Sequence, residues 1–111
     1  MASSKNNVVN KPATDPLDRL IQEKGLRIKE LFFSTDIDRM LGLITNGNVL
    51  NLQLSAYERL REATPAQLRQ YELIGSGIAI RWEELDEDLS LKGFIKQAAL
   101  NDAVRQLEAT V

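Results

Sequence analysis

Hydrophobic and polar positions recur along the chain with helical and strand periods, and the pattern predicts each element in turn. Leu17, Leu20 and Ile21 sit at helical spacing behind Asp15-Pro16. That pair supplies a capping carboxylate and a proline at the first helical position. Gly25 is placed to end the helix in a left-handed cap, so the spacing predicts a short helix over Pro16 to Lys24. Leu26 and Ile28 then alternate with Arg27 and Lys29, and the alternation slips at Glu30-Leu31. This predicts a strand over Leu26 to Phe33 that carries a bulge. Arg39 to Thr45 is apolar on both faces through Met40, Leu41, Leu43 and Ile44, the pattern of a strand that is central or covered on both sides. Asn46-Gly47 predicts a two-residue type I′ turn, because both central residues of that turn need φ > 0. Leu50, Leu52 and Leu54 alternate with Asn51 and Gln53 in a third strand over Asn48 to Leu54, one face in the core and one in water.

Two capping boxes follow. Ser55 to Glu58 and Thr64 to Gln67 both pair a hydroxyl with an acid or amide three residues on, predicting helices over Ala56 to Glu62 and Pro65 to Gln70. Leu73-Ile74 and Ile78 to Trp82, split by Gly75-Ser76-Gly77, read as a broken extended segment that crosses the sheet or adds a strand. Glu83 to Asp88 reads as an acidic loop, and Ser90 can cap a last helix running from Leu91 towards Ala109. At 100° per residue that helix carries two apolar stripes. Leu91, Phe94, Ile95 and Ala98 form one; Leu100, Ala103, Val104, Leu107 and Val111 form another on nearly the opposite side. One straight helix cannot pack both on one core. Either it breaks near Asn101-Asp102, or its second half leaves the core and packs on another chain; the second reading is preferred.

The expected fold class is therefore α+β: a small antiparallel meander sheet with short helices on one face and a longer C-terminal helix over 91–109. Residues 1–14 are polar and aperiodic, which predicts a disordered tail; residues 15–111 are expected to form a single domain.

Composition narrows the chemistry. The chain holds no cysteine and no histidine. It thus lacks a thiolate nucleophile, the commonest general base and the usual ligands of a transition metal. With 14 basic and 16 acidic residues the net charge is −2, which argues against broad phosphate neutralisation and hence against a nucleic-acid partner. The polar start lacks a signal-peptide core and no run of 18 apolar residues exists, so a cytoplasmic location is expected.

Few motifs carry chemistry. Glu83, Glu84, Asp86, Glu87 and Asp88 are the densest charged feature. They do not follow the spacing of a calcium-binding loop, and they read as a solvated loop or as an acidic patch for a basic partner. Gly75-Ser76-Gly77 lacks the lysine of a phosphate loop and reads as a tight turn. Trp82, flanked by Ile78 and Ile80, reads as core rather than as an interface anchor.

Taken in order, Leu54-Ser55-Ala56-Tyr57-Glu58-Arg59-Leu60, Ala63-Thr64-Pro65, Leu73-Ile74-Gly75, Gly77-Ile78 and Trp82 with Leu85-Asp86-Glu87-Asp88-Leu89-Ser90 resemble one bacterial family, catalogued as domain of unknown function 2442. The similarity covers about Leu26 to Phe94. The chain departs from that pattern in carrying Arg81 before the tryptophan, where a histidine is expected, and in adding a helix at each end. The resemblance implies a compact α+β fold and no settled biochemical function. It also implies a genomic setting beside another small protein, in an arrangement like a toxin–antitoxin pair.

The resulting expectation is a non-enzymatic protein-interaction domain, as the antitoxin or regulatory accessory of a two-gene system. The alternatives are a structural subunit of a larger assembly and an enzyme using the carboxylates of Glu83 to Asp88. No catalytic residue, cofactor or metal ligand is assigned. The expected partner-binding residues are Glu83, Glu84, Asp86, Glu87, Asp88, Leu100, Val104 and Leu107. The expected partners are a small neighbour-encoded protein and a second copy of the chain, as a homodimer.

Overall fold

The structure, a computed structural model, describes residues 15–109. The tail expected over 1–14 lies outside the described residues, as does Val111. Helix α1 spans Pro16–Glu23, with the Asp15 carboxylate accepting from the Leu17 N–H at 2.8 Å. It ends where the Lys24 N–H returns to the Leu20 carbonyl.

Strands β1 (Ile28–Ser34), β2 (Arg39–Ile44) and β3 (Val49–Gln53) pair antiparallel in the order β1-β2-β3. The bulge expected in β1 is present. Ile28 faces Ile44 and Glu30 already faces Leu43, so Lys29 is the extra residue. The slip returns Leu31 to the buried face below Ile28.

The turn after β2 is not type I′. Asn46 is absent from the residues at positive φ, and only Gly47, at +91°, adopts that conformation in the loop. The Gly47 N–H bonds the Ile44 carbonyl and the Ile44 N–H bonds the Asn48 carbonyl. This is a three-residue loop, a type I turn closed by a left-handed glycine. The Asn46 side chain accepts from the Asn48 N–H at 3.0 Å, a local bond that favours this form.

The first capping box also fails. Asp38, at φ +58°, accepts both the Ser55 hydroxyl at 2.6 Å and the Ser55 N–H at 2.9 Å. With its hydroxyl engaged there, Ser55 caps nothing. A 3₁₀ turn forms over Leu54–Ala56 and helix α2 shrinks to Glu58–Arg61. The second box forms with both of its bonds, ahead of helix α3 at Pro65–Leu68.

The broken extended segment does more than add a strand. Strands β4 (Glu72–Ile74), β5 (Ala79–Trp82) and β6 (Glu87–Ser90) form a second antiparallel sheet. The acidic stretch is thus a hairpin, with Glu83 to Asp86 in the turn and Glu87 and Asp88 in β6. Gly75-Ser76-Gly77 is the tight turn between β4 and β5. Helix α4 runs unbroken over Leu91–Ala109, with the Ser90 hydroxyl accepting from the Gly93 N–H at 2.9 Å.

One contiguous core joins these parts. The inner face of the first sheet gives Ile28, Leu31, Met40, Ile44 and Leu52, and the second sheet gives Ile80 and Trp82. Trp82 is core, as expected. Its indole N–H donates to the Leu68 carbonyl at 2.9 Å, and its ring lies edge-on to Phe33 and tilted to Tyr71. The fold is α+β: two three-stranded antiparallel sheets, short helices and a long C-terminal helix.

Candidate interaction surface

The expected acidic site does not converge. In a strand, successive side chains point to opposite faces, so Glu87 and Asp88 part company on β6. Asp88 meets Arg81 on β5 at 2.9 Å and holds the guanidinium pKa above its usual value. Asp86 meets Arg59 at 3.4 Å, and Glu84 accepts from the Gln67 amide at 3.0 Å. Glu87 turns inward, half-buried, with one carboxylate oxygen accepting from the Asp88 N–H. Glu83 is exposed on the turn. Each of the four partnered acids is tied to a different group, and no metal-holding cluster of acids occurs among the described residues.

Helix α4 behaves differently. Leu91 and Phe94 are fully buried and Ala98 nearly so. Burying a large apolar side chain contributes about 1.5–3 kcal/mol relative to leaving it exposed, so the first half is firmly anchored. Beyond Ala98 the helix continues without burying anything. Leu100 is 57% exposed, Val104 43% and Leu107 69%. Local pairs, Gln97 with Asn101 and Arg105 with Asp102, add to the contact of this extension with the edge of β3. Such pairs contribute about 0.2–0.5 kcal/mol each.

A second apolar area lies beside it, on the strand expected to be central or covered on both sides. Strand β2 is central, but only its inner face is covered. On the outer face Leu41 is 37% exposed, with Phe32 of β1 opposite it at 49%. Val49, opposite Leu43, and Ile37, in the turn before β2, are also exposed. The available signal was the apolar content of β2 on both faces.

The two areas are continuous. A groove of about 320 Å³ between α4 and the edge of β3 is lined by Leu100, Val104, Glu108, Arg39 and Asn51. Arg39 and Asn51 also line the hollow over Phe32, Ile37 and Leu41. The extension is thus a ridge, and the outer sheet face is a floor at its foot. No helix among the described residues is long and apolar enough to cross a membrane.

Comparison with known proteins agrees with this architecture. A protein of unknown function from Rhodospirillum rubrum is 28% identical over 64% of this chain and 86% of its own, with a TM-score of 0.56. An uncharacterized protein from Chromobacterium violaceum, solved by solution NMR, is 22% identical over 80% of this chain and 86% of its own, with a TM-score of 0.60. The latter likeness is one of fold. No curated protein matches the chain. The model of the family described as protein of unknown function, DUF2442, matches residues 28–99, and the chain belongs to that family.

Proposed function

We propose that the chain is a non-enzymatic protein-interaction domain, working in the cytoplasm, that docks protein through the α4 extension. The observation that carries this reading is the single unbroken helix whose buried stripe stops at Ala98 while Leu100 and Val104 continue exposed. An apolar helical ridge of this kind is a recurrent docking element. The acidic hairpin is a secondary contact in this reading. Its carboxylates are partly compensated by Arg59 and Arg81, so it contributes orientation and salt-sensitive steering rather than affinity.

The finer role is that of an antitoxin or regulatory accessory bound to a small neighbour-encoded protein, which rests on the family resemblance. Deleting Asn101 to Val111 tests the docking role. The truncated chain is expected to keep its cooperative unfolding, with far-UV circular dichroism lowered only by the helix removed, and to lose oligomer mass or capture of the co-expressed neighbour. A folded truncation with unchanged mass and unchanged capture sinks the reading. Rescue of growth on co-expression with the neighbour supports the antitoxin role, and growth arrest without rescue removes it.

A further inference from the structure

We infer that a second copy of this chain covers the outer face of the first sheet, each copy laying its α4 extension across the other's Phe32 and Leu41. This rests on the docking role of the extension and adds its occupant. Ridge and floor lie side by side on one chain and share Arg39 and Asn51 at their border. A two-fold axis along that border turns the ridge of each copy onto the floor of the other. One isologous interface then covers both apolar features in both copies. An unrelated protein would have to present a floor and a ridge at matching spacing, whereas a second copy carries both.

Charge points the same way. Arg39 and Glu108 line the same groove, yet among the described residues neither makes an ion pair within its own chain. The Arg39 guanidinium donates to the Asp38 carbonyl at 3.1 Å. The border thus holds one charge of each sign outside any ion pair, with the Asp38 carboxylate also within electrostatic reach of Arg39, and the two-fold brings Arg39 of one copy to Glu108 of the other, twice. The middle of the floor, where Phe32, Leu41 and Asn51 are cross-strand neighbours, carries no charge. That is the composition of an interface centre rather than a rim.

Size places the interface at the small end. A standard interface takes about 800 Å² from each partner, near a tenth of the 7376 Å² surface of this chain. A three-stranded face of roughly 14 Å by 17 Å and roughly 16 Å of helix about 10 Å wide together project to roughly 400 Å², the scale of a weak, exchanging dimer.

Light scattering on the eluting full-length protein tests the inference. The wild type is expected at twice the chain mass of 12.5 kDa. Leu41→Glu places a carboxylate at the floor, and dimer association is expected to weaken by about tenfold or more with an unchanged circular dichroism spectrum. Arg39→Glu and Glu108→Arg are each expected to weaken the dimer, and mixing the two variants is expected to restore it, because every contact in the mixed dimer joins opposite charges. A monomeric wild type, a Leu41→Glu dimer of undiminished affinity, or a mixture no tighter than its components overturns the proposal. If deleting Asn101 to Val111 abolishes the dimer while Leu41→Glu does not, the sheet face is not the floor and the docking role stands. If the deletion changes neither the dimer nor partner capture, the docking role itself fails.

Discussion

Tyr57 poses the sharpest question at the scale of a single residue. Its ring packs on Phe94 at a centroid separation of 5.8 Å, but its hydroxyl is buried with no hydrogen-bond partner among the described residues. Burial, and after it the charge of Glu87, pushes the phenol pKa up to about 12. A buried hydroxyl without a partner costs about 1–3 kcal/mol. Tyr57→Phe keeps the ring and removes the orphan oxygen, so it is expected to raise stability at neutral pH by about 1 kcal/mol in denaturant titrations. The sign with pH follows from linkage. A folded pKa above the ordinary 10.0 leaves stability intact below pH 10 and erodes it as the pH climbs towards 12. Wild type should therefore fall behind Tyr57→Phe further as the pH rises through that window. A constant gap, or a destabilised variant, would mean that the hydroxyl has a partner after all. None of this was legible in the sequence, where Tyr57 is one letter of a family motif. Glu87 reaches it only because β6 folds back through a hairpin. Trp82 is the instructive contrast: its place in the core was read from Ile78 and Ile80 at alternating spacing, of which only Ile80 is buried with it, and its acceptor, the Leu68 carbonyl, lies 14 residues back.

Elements were legible where the signal was local and lost where a distant group competed. The Thr64 box formed because donor and acceptor are three residues apart. The Ser55 box has the same spacing and failed, because Asp38, 17 residues earlier, takes the serine hydroxyl. Helix α1 combines both kinds of contact. Its Asp15 cap is local, and its attachment to α4 is not: Lys92 reaches Asp15 at 2.9 Å and Asp18 at 3.0 Å. Lys92 lowers the Asp15 pKa from the ordinary 3.8, and the two acids raise that of Lys92 above 10.5. The depressed carboxylate supports docking above pH 3.8 and loses that support as the pH falls below it. The raised ammonium supports docking below pH 10.5 and loses it as the pH rises further. Asp15→Asn keeps a good cap while removing the charge, and Asp15→Ala removes both. Hydrogen exchange of the α1 amides should quicken modestly in the first variant and more in the second. In the first variant the salt dependence of exchange should also shrink, since only the ion pairs are screened. Equal exchange in the two variants would assign all of the attachment to charge and none to capping.

Across the whole molecule, the unforeseen feature is the second sheet, and the way it is fastened to the first explains why. Strands of three or four residues, β4 and β6 among them, are too short to announce themselves by alternation. They exist because the sheets lock together at two points. The Ile28 N–H donates to the Gly77 carbonyl at 2.9 Å, and the Leu31 N–H to the Tyr71 hydroxyl at 3.1 Å. Gly77 is the tighter of these joints. It sits at φ +114°, and a Cβ there would stand 2.2 Å from the Ile28 carbonyl oxygen and 2.8 Å from its nitrogen, both rigid backbone. Gly47 supplies the control, because its φ of +91° is also unsuited to a side chain but nothing lies within 4 Å. Gly47→Ala should therefore cost only the backbone strain, about 1 kcal/mol. Gly77→Ala adds a clash that must push β1 away from the β4–β5 turn, for a total of about 3 kcal/mol. Because one core runs through both sheets, that loss should appear as a single unfolding transition at lower denaturant, followed alike by Trp82 fluorescence and by far-UV circular dichroism. If the two probes separate in Gly77→Ala, the sheets are independent units that the joint merely tethers. If Gly77→Ala costs no more than Gly47→Ala, the close approach of Gly77 to Ile28 is not what fixes the sheets to one another.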